Sequence, residues 1–326
     1  MTAGLPDDML TILVPVLSES LAAVRCLRSA CVATGDRGEV ILIDGGISQM
    51  MSRLVSQDDE LRERVQTVSC TVDRRLWTLL RLGVAQAAGR YAIIASPQEW
   101  LHPGVGGRLM EEAGAWGVDA LQFRVVTRLG RISSKETHRQ PASGEIYSGE
   151  VLRDLLSVDG PDRPVTPQHT DKLYRLDLLR EALRHNFDGS WGTGEILNLH
   201  YYRAARSMAF SDVVGASRNQ TPDTPAFDYH SLCDIRRVYE VKLLTIPART
   251  EGLLSELHAY TIGYIHDLIY RLGWTDEAAC HYLADELAHT IYRRAGLSES
   301  IGEVVAEARR THRRSGWQQF LSFFTV

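Results

Sequence analysis

A chain of 326 residues with 44% hydrophobic and 24% charged residues has the composition of an ordinary folded protein, long enough for one large α/β domain with an appendage. Its net charge of −5 and pI near 6.1 disfavour a nucleic-acid-binding surface. Five cysteines with no C-x-x-C pair argue against a disulfide framework or a zinc site, and the acidic first residues lack the basic and apolar regions of a signal peptide, so a cytoplasmic location is expected.

The runs Leu10-Thr-Ile-Leu-Val-Pro-Val16 and Val40-Ile-Leu-Ile-Asp44 are too short for buried helices and rich in β-branched residues, which predicts fully buried parallel strands. Between them Ser20 is placed to cap a helix carrying Leu21, Val24, Leu27 and Val32. Residues 48–64 are polar and helix-prone, Val65 to Cys70 reads as a third strand, and Leu76 to Ala88 as a helix. Ala92 to Ile94 is a fourth predicted strand, Val105 to Ala115 a helix, and Ala120 to Val126 a fifth strand. This alternation predicts a doubly wound, mostly parallel sheet, and such sheets bind ligands in a crevice outside the carboxyl ends of their strands.

From Thr127 to Gln168 the chain turns polar and rich in Gly, Pro and Ser, a loop-rich stretch near that edge. Asp171 to Asn186 and Glu195 to Arg206 read as helices, with a short strand from Met208 to Asp212 after them. Residues 219–227 hold Pro222 and Pro225 and read as a linker; past it helical periodicity runs to the end. The expected division is therefore an α/β domain over 1–218 and a helical region over 219–326.

Taken in order, Ile12-Leu-Val-Pro-Val16, Ile43-Asp44-Gly45-Gly46, Ala87-Ala-Gly-Arg-Tyr91 and Glu99-Trp-Leu-His-Pro103 resemble the nucleotide-sugar half of family 2 glycosyltransferases of the GT-A fold. That family's pattern is roughly IVPVYN, VDDGS, A-x-G-x-Y and DSDDWLHP. Lys172-Leu-Tyr-Arg175 and Thr193-Gly194-Glu195 resemble its acceptor-side elements, and the likeness covers about two thirds of the chain. It implies transfer of a sugar from a UDP-, GDP- or dTDP-linked donor to an acceptor hydroxyl, with inversion.

The resemblance places Asp44, with Pro15 and Glu19 beside it, against the nucleoside. Read from the residues alone, Pro15 ends a strand and Glu19 caps a helix. Where the family has its N-x-G-x-x-x-A-R-N-x-G loop, this chain has Asp73-Arg-Arg-Leu-Trp-Thr-Leu-Leu-Arg81-Leu-Gly83; Arg74, Arg75 and Arg81 could meet a diphosphate there, a task suited to guanidinium forks, or line a solvated helix face. At Ala95-Ser-Pro-Gln-Glu99 both metal-binding acids of the family are replaced, by Ser96 and Gln98. Only Glu99 is left for a divalent metal or the donor sugar, and neutral oxygens serve a hard cation poorly.

The T-G-E-D base motif is reduced to Thr193-Gly194-Glu195 followed by Ile196, so Glu195 is the first candidate for the general base and Asp188 the second. Glu195 is equally explained as an acid favoured at a helix start. These losses leave a rival reading, an inactive pseudo-glycosyltransferase that serves as a binding or scaffolding partner. The tail Trp317-Gln-Gln-Phe-Leu-Ser-Phe-Phe324, preceded by a basic cluster, reads most simply as packing on the chain's own helices or across a homo-oligomer, with peripheral contact to an anionic membrane as the alternative.

Overall fold

Strand β1 (Leu10–Val16) is buried along its whole length, which an apolar strand achieves only with neighbours on both edges and layers on both faces. The computed structural model, which describes residues 9–18, 20–129, 133–136, 141–149, 151–152, 164–187, 189, 192–219, 231–246, 249–272 and 285–297, supplies both. On its edges β1 pairs in parallel with β2 (Gly38–Asp44) and β4 (Tyr91–Ile94), and β2 pairs in parallel with β3 (Val65–Ser69).

Successive residues of a strand face opposite ways, and the helices take one face each. Helix α1 (Leu21–Thr34), capped as expected by the Ser20 hydroxyl, shares a core with Ile12, Val14 and Leu42. Helix α5 (Val105–Trp116) joins that core through Val105, Leu109 and Ala113. On the other face lies α4 (Leu76–Gln86), whose Gly83 comes so close that an added Cβ would stand 2.8 Å from Ile43 Cδ1 and 3.2 Å from Leu13 Cδ2. The glycine at 83, on which the resemblance to the family loop rested, is thus accounted for by helix-on-sheet packing. Helices α2 (Met50–Gln57) and α3 (Asp59–Arg64) fill the polar stretch before β3.

Beyond β4 the sheet departs from the sequence expectation. Residues 172–175 form β9 (Lys172–Arg175), antiparallel to both β4 and β6 (Ala120–Leu129), and only Leu176–Ala182 is helical, as α6. Leu173, Leu176 and Leu179 recur at a spacing that mimics a helix, but the open edges of β4 and β6 recruit the first four residues into the sheet, where Lys172, Leu173 and Tyr174 are all buried. The loop-rich stretch contains two short strands, β7 (Ser133–Glu136) and β8 (Ile146–Ser148).

After helix α7 (Thr193–Ala204) the last strand, β10 (Ser207–Asn219), runs 13 residues, well past the expected end at 212. It pairs in parallel with β6 through register shifts and in antiparallel fashion with β5 (Glu99–Leu101), a strand too short to announce itself. The order across the main path is β3-β2-β1-β4-β9-β6-β10-β5.

The chain divides into two units, Met1–Asp188 with Thr193–Thr221, and Gly189–Gly192 with Pro222–Val326. In the second unit helices α8 (Ser231–Thr245), α9 (Thr250–Leu272) and α10 (Thr290–Arg294) surround Leu232, Ile235, Leu253, Leu257, Ile265 and Tyr292. Arg236 bridges Glu240 and Glu286 there, and the Tyr292 hydroxyl donates to Leu232 O at 2.7 Å. Among the described residues no helix is long and apolar enough to cross a membrane. The linker residues 220–227 and the aromatic tail lie outside the described residues.

Candidate active site at the carboxyl edge of the sheet

Parallel pairing brings the carboxyl ends of β1 to β4 to one edge. Because β9 runs the other way, the loop before it, residues 164–171, arrives at the same edge, as do the ends of β6 and β10. Strand order reverses at β1, with β2 and β3 on one side and β4 on the other, which makes this the switch point where open α/β sheets take ligands. The β1/β2 ladder continues to Val16 and Asp44, but the β1/β4 ladder stops at Leu13 and Ile94. Leu13 O accepts from Ala95 N, so Pro15, two residues on, turns its missing N–H toward the side where β4 has ended and costs no ladder bond.

Asp44 ends β2 at this edge, completely buried. One carboxylate oxygen accepts from Gly46 N at 2.9 Å, the other from Ser52 N at 2.8 Å and Ser52 Oγ at 2.6 Å, so it ties the 45–49 loop to the first turn of α2. Asp44→Ala strands two backbone N–H groups and a hydroxyl. An expected loss of about 1–3 kcal/mol in unfolding free energy can be read from urea denaturation; an unchanged midpoint would contradict this role. Glu19 and Asp188 lie outside the described residues.

The three arginines of the 73–81 segment are engaged by the chain itself. Arg74 donates from Nε to Gly45 O at 2.5 Å and from Nη2 to Leu17 O at 3.0 Å, clasping the loops after β1 and β2. Arg75 pairs with Asp73 through Nε at 2.8 Å and Nη2 at 2.7 Å, and its guanidinium holds the Asp73 carboxyl well below the usual carboxylate range. Arg81, exposed, reaches Asn186 Oδ1 at 3.4 Å.

The turn after β4 is stapled by its own groups. Gln98 N donates to Ser96 Oγ at 3.3 Å, Glu99 N to Ser96 O at 2.9 Å, and Ser96 N to Glu99 Oε2 at 3.2 Å, leaving the Gln98 side chain exposed. Glu99 is 2% exposed; its other oxygen accepts from Thr170 Oγ1 at 3.0 Å and stands 3.6 Å from Arg218 Nη1. Burial pushes its pKa up to about 7 against the opposing pull of Thr170 and Arg218.

A divalent metal of the kind the resemblance implies does not fit this turn. Ser96 spends its hydroxyl on a backbone N–H, Gln98 is neutral, and Glu99 is turned inward. Among the described residues no group of three or more His, Cys, Asp or Glu side chains is placed to hold an ion.

The acceptor-side loop is fixed by buried polar side chains from three elements. Gln122 of β6 donates to Pro164 O at 3.0 Å and accepts from Thr166 N at 3.0 Å. Asn198 of α7 donates to Pro167 O and Gln168 O, both at 3.0 Å, and accepts from the Tyr174 hydroxyl at 2.7 Å. Lys172, fully buried, gives its ammonium to Thr166 Oγ1 and Gln168 O at 2.6 Å, Asp171 Oδ1 at 2.7 Å and Thr166 O at 3.0 Å.

Helix α7 begins directly on this loop, where a Cβ added to Gly194 would stand 2.7 Å from His169 Nδ1 and 2.9 Å from Pro167 O. Burial first, and the Lys172 charge second, lower the His169 pKa to about 4, so its imidazole is neutral. Glu195 sits half-buried in the first turn of α7, next to the buried Thr193, whose hydroxyl has no hydrogen-bond partner among the described residues. The structure thus brings Asp44, Arg74, Arg75, Ser96, Gln98 and Glu99 to one edge with the loop on which α7 and Glu195 begin. Gln122, Thr166, Thr170, Asn198 and Arg218 were not legible as site residues, since a lone amide or hydroxyl in an apolar run carries no motif.

This sheet, with its switch point between β1 and β4 and an antiparallel strand inserted after β4, is a GT-A-like α/β fold. Neither a protein-family model nor a curated protein sequence matches the chain. Solved structures do. Residues 1–349 of S. aureus TarS in complex with UDP-GlcNAc align with a TM-score of 0.64 at 13% identity, covering 89% of this chain and 83% of that one. The same fragment in complex with UDP gives a TM-score of 0.60 at 12% identity, covering 94% and 92%. A further structure of S. aureus TarS, with a TM-score of 0.60 at 12% identity, is matched over 88% of this chain but only 49% of its own length.

Proposed function

We propose that this chain is a glycosyltransferase of the family 2 kind, moving a sugar from a nucleotide-diphosphate donor to an acceptor hydroxyl with inversion. One observation carries the reading: the switch-point loops and the acceptor-side loop share one edge of a fold similar to that of TarS, which has been solved with UDP-GlcNAc and with UDP. In this reading residues 1–218 hold donor and acceptor. Asp44 and Pro15 shape the nucleoside end, Asp44 by setting the 45–49 loop, and Arg74 and Arg75 border the phosphates.

The acceptor oxygen attacks the anomeric carbon, the bond from that carbon to the phosphate oxygen breaks, and the nucleoside diphosphate leaves with the electron pair. The acceptor proton passes to Glu195, with Asp188 as the second candidate. Stabilising the leaving charge and removing that proton are the two tasks such a site must perform, and here the first falls to cationic side chains and backbone N–H groups rather than to a metal.

A specific observation favours a second reading, an inactive relative used as a binding or scaffolding partner: the carboxylates of Asp44 and Glu99 are both turned into the chain's own hydrogen bonds. Calorimetry with UDP, GDP and dTDP, each with and without Mn, separates the two. Metal-independent binding of one nucleotide, followed by turnover of its sugar conjugate, supports the transferase. Absence of binding by all three supports the scaffold.

A further inference from the structure

With Arg74, Arg75 and Arg81 engaged by the chain, the cations open to a ligand must be sought elsewhere on the same edge. Trp100 of β5 follows directly on the turn that replaces the family's metal loop. The Arg25 guanidinium of α1 lies 4.2 Å from the centre of its ring and the Arg128 guanidinium of β6 5.1 Å, so the two guanidinium carbons are within about 9 Å of each other by that geometry, each at cation–π range.

Both side chains are exposed, and among the described residues neither has a hydrogen-bond or ion-pair partner. Other arginines of this unit are matched to acids, as Arg28 is to Asp58, Arg175 to Asp119 and Asp177, and Arg218 to Glu99. Two like charges gathered on one aromatic ring without a carboxylate repel each other, and an anion between or across them relieves that repulsion.

Position adds to charge. Arg25 neighbours Cys26, whose thiol donates to Ser96 O at 3.3 Å, and Arg128 closes β6 where Arg218 of the adjacent strand reaches Thr127 Oγ1 at 3.2 Å. Both guanidinium groups therefore gather on residue 100, two positions after the turn at 95–98. Guanidinium forks match phosphate oxygens in geometry as well as charge.

We infer that Arg25 and Arg128, held against Trp100, form a phosphate-binding site beside the 95–98 turn. This deepens the proposed function and rests on it for the source of the phosphate: either the donor's diphosphate, which the pair would neutralise where the metal-binding acids are missing, or a phosphate carried by the acceptor.

The test is calorimetry on the full chain with pyrophosphate, UDP and uridine, comparing wild type with Arg25→Gln, Arg128→Gln and the double variant, each shown to be folded by its circular dichroism melt. The double variant is expected to bind pyrophosphate at least tenfold more weakly, with Arg25→Lys and Arg128→Lys retaining part of the affinity and uridine unaffected. If UDP weakens in parallel, the donor is the source; if UDP affinity holds while pyrophosphate is lost, the acceptor is. Loss of pyrophosphate binding in a chain that never binds UDP would retain this site while removing the donor reading. Unchanged affinity for both pyrophosphate and UDP in folded variants would overturn the inference and leave the proposed transferase standing.

Discussion

Lys172→Ala is expected to lower the unfolding free energy by about 3–5 kcal/mol, the cost of leaving one member of a buried ion pair alone. The ammonium of Lys172 is completely buried and is met by two backbone carbonyls, the Thr166 hydroxyl and the Asp171 carboxylate. Removing it leaves the buried Asp171 side chain without its cation, and takes from Thr166 O and Gln168 O the donor they share with Asn198. Lys172→Arg is expected to fail as well, because a planar fork cannot replace a compact ammonium among four close acceptors. Urea unfolding of both variants checks this; a loss below about 1 kcal/mol for the alanine variant, well under the buried-pair range, would show that the site is wet or adaptable.

The second large effect is on pH dependence. Glu99 has a folded-state pKa near 7 against an ordinary value of 4.5, chiefly from burial. A carboxyl whose pKa is raised on folding adds stability below its unfolded pKa and loses that contribution as pH climbs through the folded one. The window is therefore pH 4.5 to 7, and the size is about 3 kcal/mol at 1.36 kcal/mol per unit.

Glu99→Gln removes the titration while keeping an oxygen for Thr170. The stability of the variant relative to wild type is expected to improve by about that 3 kcal/mol between pH 4.5 and pH 8. A difference that stays constant across this range in urea titrations would contradict the buried, uphill carboxylate. The chain tolerates this group because it joins β5 to β10 through Arg218 and both to the acceptor-side loop through Thr170.

The parallel half of the sheet was legible because its strands are buried on both faces, so that apolar runs such as Ile12 to Val14 and Val40 to Ile43 stand out unbroken. Strand β9 was not, since Lys172-Leu-Tyr-Arg175 flows into α6 with its leucines three apart, and only the neighbours β4 and β6 decide between strand and helix. Strand β5 has three residues and takes its pairing from β10, more than a hundred residues later.

At the site, Asp44 was recognisable as a carboxylate at a strand end. That its oxygens serve Gly46 and Ser52 depends on how the following loop folds back. Of the 36 basic residues only three are lysines, and two of these, Lys172 and Lys242, are buried. At 172 the compact ammonium meets four acceptors within 3.0 Å.

Hydrogen–deuterium exchange of the full chain with and without UDP tests most directly whether the carboxyl edge of β1 to β4 is the donor site. Slower exchange confined to residues 45–49, 70–75 and 95–98, with Lys172 and Glu99 left intact, is the expected result. Protection of the helical unit alone, or none anywhere at saturating UDP, would contradict it.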